Sequence, residues 1–203
     1  MTITILFFWL SLAGTAVFAV SGALQALRND MDIVGVSFIA CVTGVGGGTM
    51  RDLLLGATPV AWVNDPTDII VCVTFAGLTV VANKQIIGRR LDLLLWADAV
   101  GMALFAVLGA AKAQQYGAHP LTVILFGAMS ATFGGIVRDV ICNEIPVLFR
   151  KEIYITAALI GGVTLLLLPV GLDDAFKLSI AVVVSFTVRA CSIVYGWSLP
   201  KYG

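Results

Sequence analysis

Seven apolar runs follow one another along this chain with only short connections: residues 3–27, 33–55, 67–83, 93–111, 120–142, 152–170 and 175–194. A helix crosses the hydrocarbon core of a bilayer with about 20 such residues. In lipid every backbone donor and acceptor must be satisfied internally, so only helices and closed barrels span it. Barrel strands alternate polar and apolar residues, whereas runs such as LLLW (93–96) and TLLLL (164–168) are apolar on every side. The runs are therefore helices, and the fold expected is an all-α integral membrane protein of seven transmembrane helices. Composition agrees: 60% of the residues are hydrophobic and 12% charged, too apolar for a soluble domain of this size to bury. A net charge of zero lacks the basic footprint of a nucleic-acid binder.

The chain repeats itself at an offset of 87 residues. Trp9 falls on Trp96, Gly14 on Gly101, and FAVSGA (18–23) on FAVLGA (105–110). Gly47-Gly48 falls on Gly134-Gly135, Arg51-Asp52 on Arg138-Asp139, and Pro59-Val60 on Pro146-Val147. Between residues 9 and 60, 16 of 52 positions are identical without a gap. General likeness among Gly- and Ala-rich membrane helices does not hold Trp, Arg-Asp and Pro in one register, so this is a duplication. Each copy has three spans, an odd number, so the second copy is inverted. Inverted repeats are a transporter and channel device, with the pathway at the repeat interface near the midplane. The expected organisation is one membrane domain, residues 1–203, with repeat one at about 3–87, repeat two at about 90–172 and a seventh helix at about 174–195. The first run is read as a retained helix. No Lys or Arg precedes Arg28, which leaves it without the positive n-region of a signal peptide, and it has a counterpart in repeat two.

Lysine and arginine in short loops set orientation. Arg28, Lys84, Arg89, Arg90, Arg150, Lys151 and Lys201 fall on one side, Lys112 and Lys177 on the other. This puts the C-terminus in the cytoplasm and the N-terminus outside. Trp9, Trp62, Trp96 and Trp197 lie near run ends, where indoles favour the interface.

The candidate site lies on the second and fifth spans. The second carries Thr43, Gly44, Gly46, Gly47, Gly48 and Thr49, and the fifth Ser130, Thr132, Gly134 and Gly135. Consecutive glycines weaken a helix and invite a kink, and freed carbonyls could replace the hydration shell of a cation. The expectation is a pair of kinks lining a narrow wet pathway; the alternative is glycines that let helices pack closely. One turn on stand Arg51-Asp52 and Arg138-Asp139, with Asp98 and Arg189 as further charges inside spans. Charges at such depth mark functional paths or buried pairs. Each arginine is expected to be held by a carboxylate, Asp52 at one end, Asp98 and Asp139 at the other.

Other chemistry is excluded. The stretch GVGGGTMRD lacks the Gly-Lys-Ser/Thr of a phosphate loop. Cys41, Cys72, Cys142 and Cys191 lie in or at the ends of apolar runs without C-x-x-C spacing, and His119 is the sole histidine. No metal site, cofactor or enzyme is expected.

GVGGGTMRDLLLGATP and FGGIVRDVICNEIPVLFRKEIYITAALIGG resemble the two signatures of the prokaryotic TRIC (trimeric intracellular cation) channels. The same bacterial sequences are also described as a glycine-transporter-type domain. The resemblance spans nearly the whole chain, with one departure: Phe133 stands where the first copy has Gly46. It implies a homotrimer with one pore per protomer, kinked second and fifth helices lining it, permeant K⁺ and Na⁺, and a bacterial plasma (inner) membrane with its lipid as surroundings. Small residues such as Gly14, Ala16, Gly101 and Ala103 offer close packing within or between subunits. The competing function is a carrier of a small zwitterion such as glycine.

Overall fold

The computed structural model describes residues 2–149, 153–169 and 171–197. Arg150, Lys151 and Lys201, which enter the charge comparison above, and Glu152 and Val170, which bound the sixth run, lie outside the described residues. The helices are α1 (Thr2–Arg28), α2 (Ile33–Leu54), a short α3 (Ala61–Asn64), α4 (Thr67–Ile86), α5 (Arg90–Gln115), α6 (Pro120–Ile141), α7 (Ile155–Leu167) and α8 (Asp174–Tyr195). All but α3 correspond to the seven apolar runs. Large apolar side chains point outward along them, among them Val34, Val81 and Leu167, as a lipid solvent requires.

Local chemistry sets the ends. Asp32 caps α2 by accepting from the Gly35 amide at 2.8 Å, and Asp173 caps α8 through the amides of Ala175 and Phe176. Pro120 opens α6 behind His119, whose Nδ1 accepts from the Leu121 amide. Gly196 closes α8 in the left-handed region, φ 64°. Helix α7 has 13 residues, about 20 Å at ~1.5 Å per residue, so it is shorter than the run suggested. Pro169 follows Leu168 and holds it extended, which ends the helix.

The packing shows the inverted repeat directly. On α1 and α5, a Cβ at Gly14 would stand 2.9 Å from the Phe105 ring, and one at Gly101 would stand 2.5 Å from the Phe18 ring. The earlier residue of one helix meets the later residue of the other, so the helices are antiparallel. Exchanging n for n+87 maps one contact onto the other, so a pseudo-twofold axis runs across the helices, in the membrane plane. Phe18 and Phe105 stack astride it, centroids 5.3 Å apart and planes 7° from parallel. The turns repeat as well: Gly56 and Asn143 both have positive φ, as do Asp30 and Gly117. Gly14 and Gly101 thus serve packing inside the protomer. Phe18→Ala is expected to cost about 3–5 kcal/mol by opening a cavity on the axis, measurable as a fall in Tm in detergent micelles.

Helices α1, α2 and α4 form repeat one, and α5, α6 and α7 form repeat two. Helix α8 lies outside the symmetry and packs against α5 and α7. Its Ser185 hydroxyl donates to the Ala157 carbonyl on α7 at 3.0 Å.

Candidate functional site

The second axial contact is the crossing of α2 and α6. A Cβ at Gly47 would overlap the Ser130 carbonyl oxygen, and one at Gly134 would overlap the Thr43 carbonyl oxygen. These are again n and n+87 partners. Gly46 lies beside them, its Cβ position 3.3 Å from the Gly134 Cα. Both helices continue as α-helix through their glycines, which serve the close approach of the two backbones. A break frees backbone groups that lipid cannot satisfy, whereas two glycine faces let the backbones touch without that loss. The hydroxyls are likewise turned to their own helices: Thr43 donates to the Ile39 carbonyl at 2.6 Å and Thr49 to that of Val45 at 2.7 Å. The Ser130 hydroxyl is buried against Gly109 of α5.

Two half-cavities flank this crossing, and their walls are related by the repeat. Gly48, Arg51, Asp52 and Val60 line the first, with Gly44, Thr49 and Ala61. Gly135, Arg138, Asp139 and Val147 line the second, with Thr132 and Leu148. In each, the arginine folds back over the glycine one turn earlier: the guanidinium lies 3.6 Å from the Cβ position of Gly48 and 3.7 Å from that of Gly135. The repeat-one half holds about 50 Å³. It shares Ser11, Arg51, Ala61 and Asp68 with a wider vestibule of about 360 Å³. The repeat-two half has no room for a water molecule. Tyr154 and Leu148 fill it, where the counterparts in repeat one are the smaller Thr67 and Ala61.

The charges differ in the same sense. In repeat one, Arg51 Nε donates to Asp52 Oδ1 at 2.7 Å, and Lys112 Nζ bridges both Asp52 oxygens at 2.9 Å. In repeat two, Arg138 is fully buried. Its Nε donates to Asp139 at 2.7 Å, and its Nη1 donates to Asp98 at 2.7 Å and to the Ser21 hydroxyl at 2.6 Å. The second Asp139 oxygen accepts from the Val147 amide at 3.0 Å. One site is therefore two cations on one carboxylate, and the other is one cation on two. Arg189 of α8 is also buried; it lies over the Tyr154 ring at 4.9 Å and donates to the Ser192 hydroxyl.

Nine of the sequence candidates thus line the half-cavities: Gly44, Gly48, Thr49, Arg51 and Asp52 in the first, and Thr132, Gly135, Arg138 and Asp139 in the second. Thr43, Gly46, Gly47, Ser130 and Gly134 form the crossing instead. Lys112, Asp68, Tyr154 and Trp62 were not among the candidate site residues read from the sequence. Trp62, read there as an interface anchor, donates its indole N–H to the Thr49 hydroxyl at 2.9 Å and so roofs the repeat-one half. Comparing the two copies beyond residue 60 would have exposed the Thr67/Tyr154 difference. At the vestibule rim, the hydroxyl of Thr67, and then its amide, hold the Asp65 carboxyl below the usual carboxylate range. Among the described residues no three His, Cys, Asp or Glu side chains converge on a metal site.

A family model described as Glycine transporter matches residues 8–84 and 95–169, two segments that begin 87 residues apart. The UPF0126 inner membrane protein YadS of Escherichia coli K12 is 41% identical, covering 97% of this chain and 96% of its own. A UPF0126 membrane protein of Vibrio cholerae is 39% identical over 98% of this chain and 84% of its own. Among solved structures, the TRIC trimeric intracellular cation channel orthologue of Rhodobacter sphaeroides is 45% identical with a TM-score of 0.90, covering 97% of this chain and 100% of its own. A prokaryotic TRIC channel solved in 0.5 M KCl is 33% identical with the same TM-score and coverage.

Proposed function

Because the chain belongs to the prokaryotic TRIC family, which also carries the description of a glycine transporter, we propose that it is a cation channel with its pathway inside the protomer. The observation that carries this reading is the pair of repeat-related half-cavities on either side of the α2–α6 crossing, one open to a vestibule and one collapsed on an ion-pair cluster. A conducting path runs from the vestibule past Gly44 and Gly48 to the crossing and leaves along Gly135. The conformation described is closed at the repeat-two end. Opening requires Arg138, Tyr154 and Leu148 to move from the Gly135 face. Permeant K⁺ and Na⁺ pass with water, steered by side-chain charge. The protein acts as a homotrimer in a bacterial inner membrane, surrounded by lipid. Its N-terminus and vestibule face outside and its C-terminus faces the cytoplasm, from the loop charges.

A vestibule walled by both signs of charge also suits a carrier of a small zwitterion such as glycine, with the two halves opening in turn. The channel reading is preferred because the carboxylates of Asp52 and Asp68 match Arg51 and Lys112 in number, which leaves no net positive charge there to hold a substrate carboxylate. Reconstitution decides. The channel reading expects unitary cation currents in planar bilayers and no concentrative glycine uptake into proteoliposomes. Glycine uptake without unitary currents would reverse the assignment.

A further inference from the structure

Asp68 occupies a place that neither repeat symmetry nor the Arg-Asp motif accounts for. It stands in the first turn of α4, and its counterpart at the offset of 87 is the apolar Ile155. It lines both the vestibule and the repeat-one half-cavity, so it sits where one narrows into the other. The buried Thr15 hydroxyl of α1 donates to its Oδ1 at 3.3 Å and fixes the carboxylate at that neck. The neighbouring cations are spoken for: Arg51 Nε and Lys112 Nζ both donate to Asp52, whose two oxygens they occupy. Across the three groups Arg51, Asp52 and Lys112 the sum is one positive charge, which by itself would favour anions at the neck. Asp68 cancels that charge at the place where a permeating ion leaves the wide vestibule.

Resting on the cation-channel reading above, we infer that Asp68 determines charge selectivity at the repeat-one mouth: its carboxylate turns a net cationic constriction into one that admits monovalent cations. The neck is narrow and walled by protein, so a single charge there acts at lower effective dielectric than in bulk water. Asp65, exposed at the rim, is screened by solvent and salt and contributes little.

The experiment is the reversal potential of the reconstituted full-length protein under a KCl gradient. Asp68→Asn is expected to lower the cation-to-anion permeability ratio on the order of tenfold, Asp68→Glu to keep it, and Asp65→Asn to change it less than about twofold. The wild-type protein gives a second reading that needs no variant. Its ratio is expected to fall as salt rises from about 0.1 M to about 1 M, while the Debye length shrinks from about 10 Å to about 3 Å. An unchanged ratio in Asp68→Asn, an equal loss in Asp68→Glu, or a wild-type ratio independent of salt would each overturn the inference. A wild-type protein without cation-selective current would instead overturn the channel reading itself.

Discussion

Replacing Arg138 by methionine is expected to destabilise the protein by about 3–5 kcal/mol, the usual cost of breaking a buried ion pair by removing one partner. Arg138 joins Asp98 and Asp139 with its ion pairs and Ser21 with a hydrogen bond. Without it the buried carboxylates of Asp98 and Asp139 lose the cation they share. Arg51→Met at the symmetry-related position is expected to cost less, about 1–2 kcal/mol. Asp52 there keeps Lys112, and the cluster opens to the vestibule. Removing both buried ions in Arg138→Met/Asp98→Leu is expected to recover part of the loss, because a matched apolar pair leaves no orphaned charge. Thermal unfolding of the three variants and the Asp98→Leu single mutant in one detergent closes the cycle, with a coupling energy of at least about 1 kcal/mol. Equal costs at Arg51 and Arg138, or additive effects of Arg138 and Asp98, would contradict the account. Where Arg138→Met assembles, single-channel recording is expected to show a higher open probability, since one of the three side chains that close the repeat-two half no longer ties it to Asp98 and Asp139.

Adding a single methyl group at the helix crossing is expected to separate the glycines into two classes. Gly47→Ala and Gly134→Ala place a Cβ inside the carbonyl oxygens of Ser130 and Thr43. These are backbone atoms of continuous helices and cannot rotate away, so α2 and α6 must move apart. Overpacking of this kind costs about 1–3 kcal/mol and sometimes more. Gly48→Ala meets only the mobile end of Arg51, at 3.6 Å. Its replacement is expected to be neutral or slightly stabilising, because alanine favours helix by up to ~1 kcal/mol over glycine. It does, however, enter the repeat-one half-cavity, so conductance should fall while Tm holds. Size-exclusion chromatography and unfolding in micelles check the first class, and planar-bilayer recording the second. A Gly47→Ala protein as stable as the wild type would show that the crossing is looser than described. The larger Gly47→Leu is expected to disrupt the assembly of the helices, beyond blocking a path.

The hydropathy pattern determined the helices and the solvent they fold in, because lipid admits few ways of satisfying a backbone. The 87-residue offset determined the inverted pairing, since three spans per copy force the second copy to run the other way. Asp98, Arg138 and Asp139 were legible as a cluster because a bilayer makes an unpaired charge so costly that partners must exist. Three matters belonged to the tertiary structure alone. Glycine suits both a kink and a close approach, and only the fold shows what stands beyond the missing Cβ: at Gly47 and Gly134 it is a carbonyl of the facing helix. Lys112 and Asp68 lie near helix ends, where sequence shows only an interfacial charge; folding brings one onto Asp52 and the other to a cavity neck. The two copies of one motif also ended in different states. Thr67 and Ala61 leave space where Tyr154 and Leu148 fill it, and a difference in side-chain volume becomes an open or closed cavity only once the walls around it are in place.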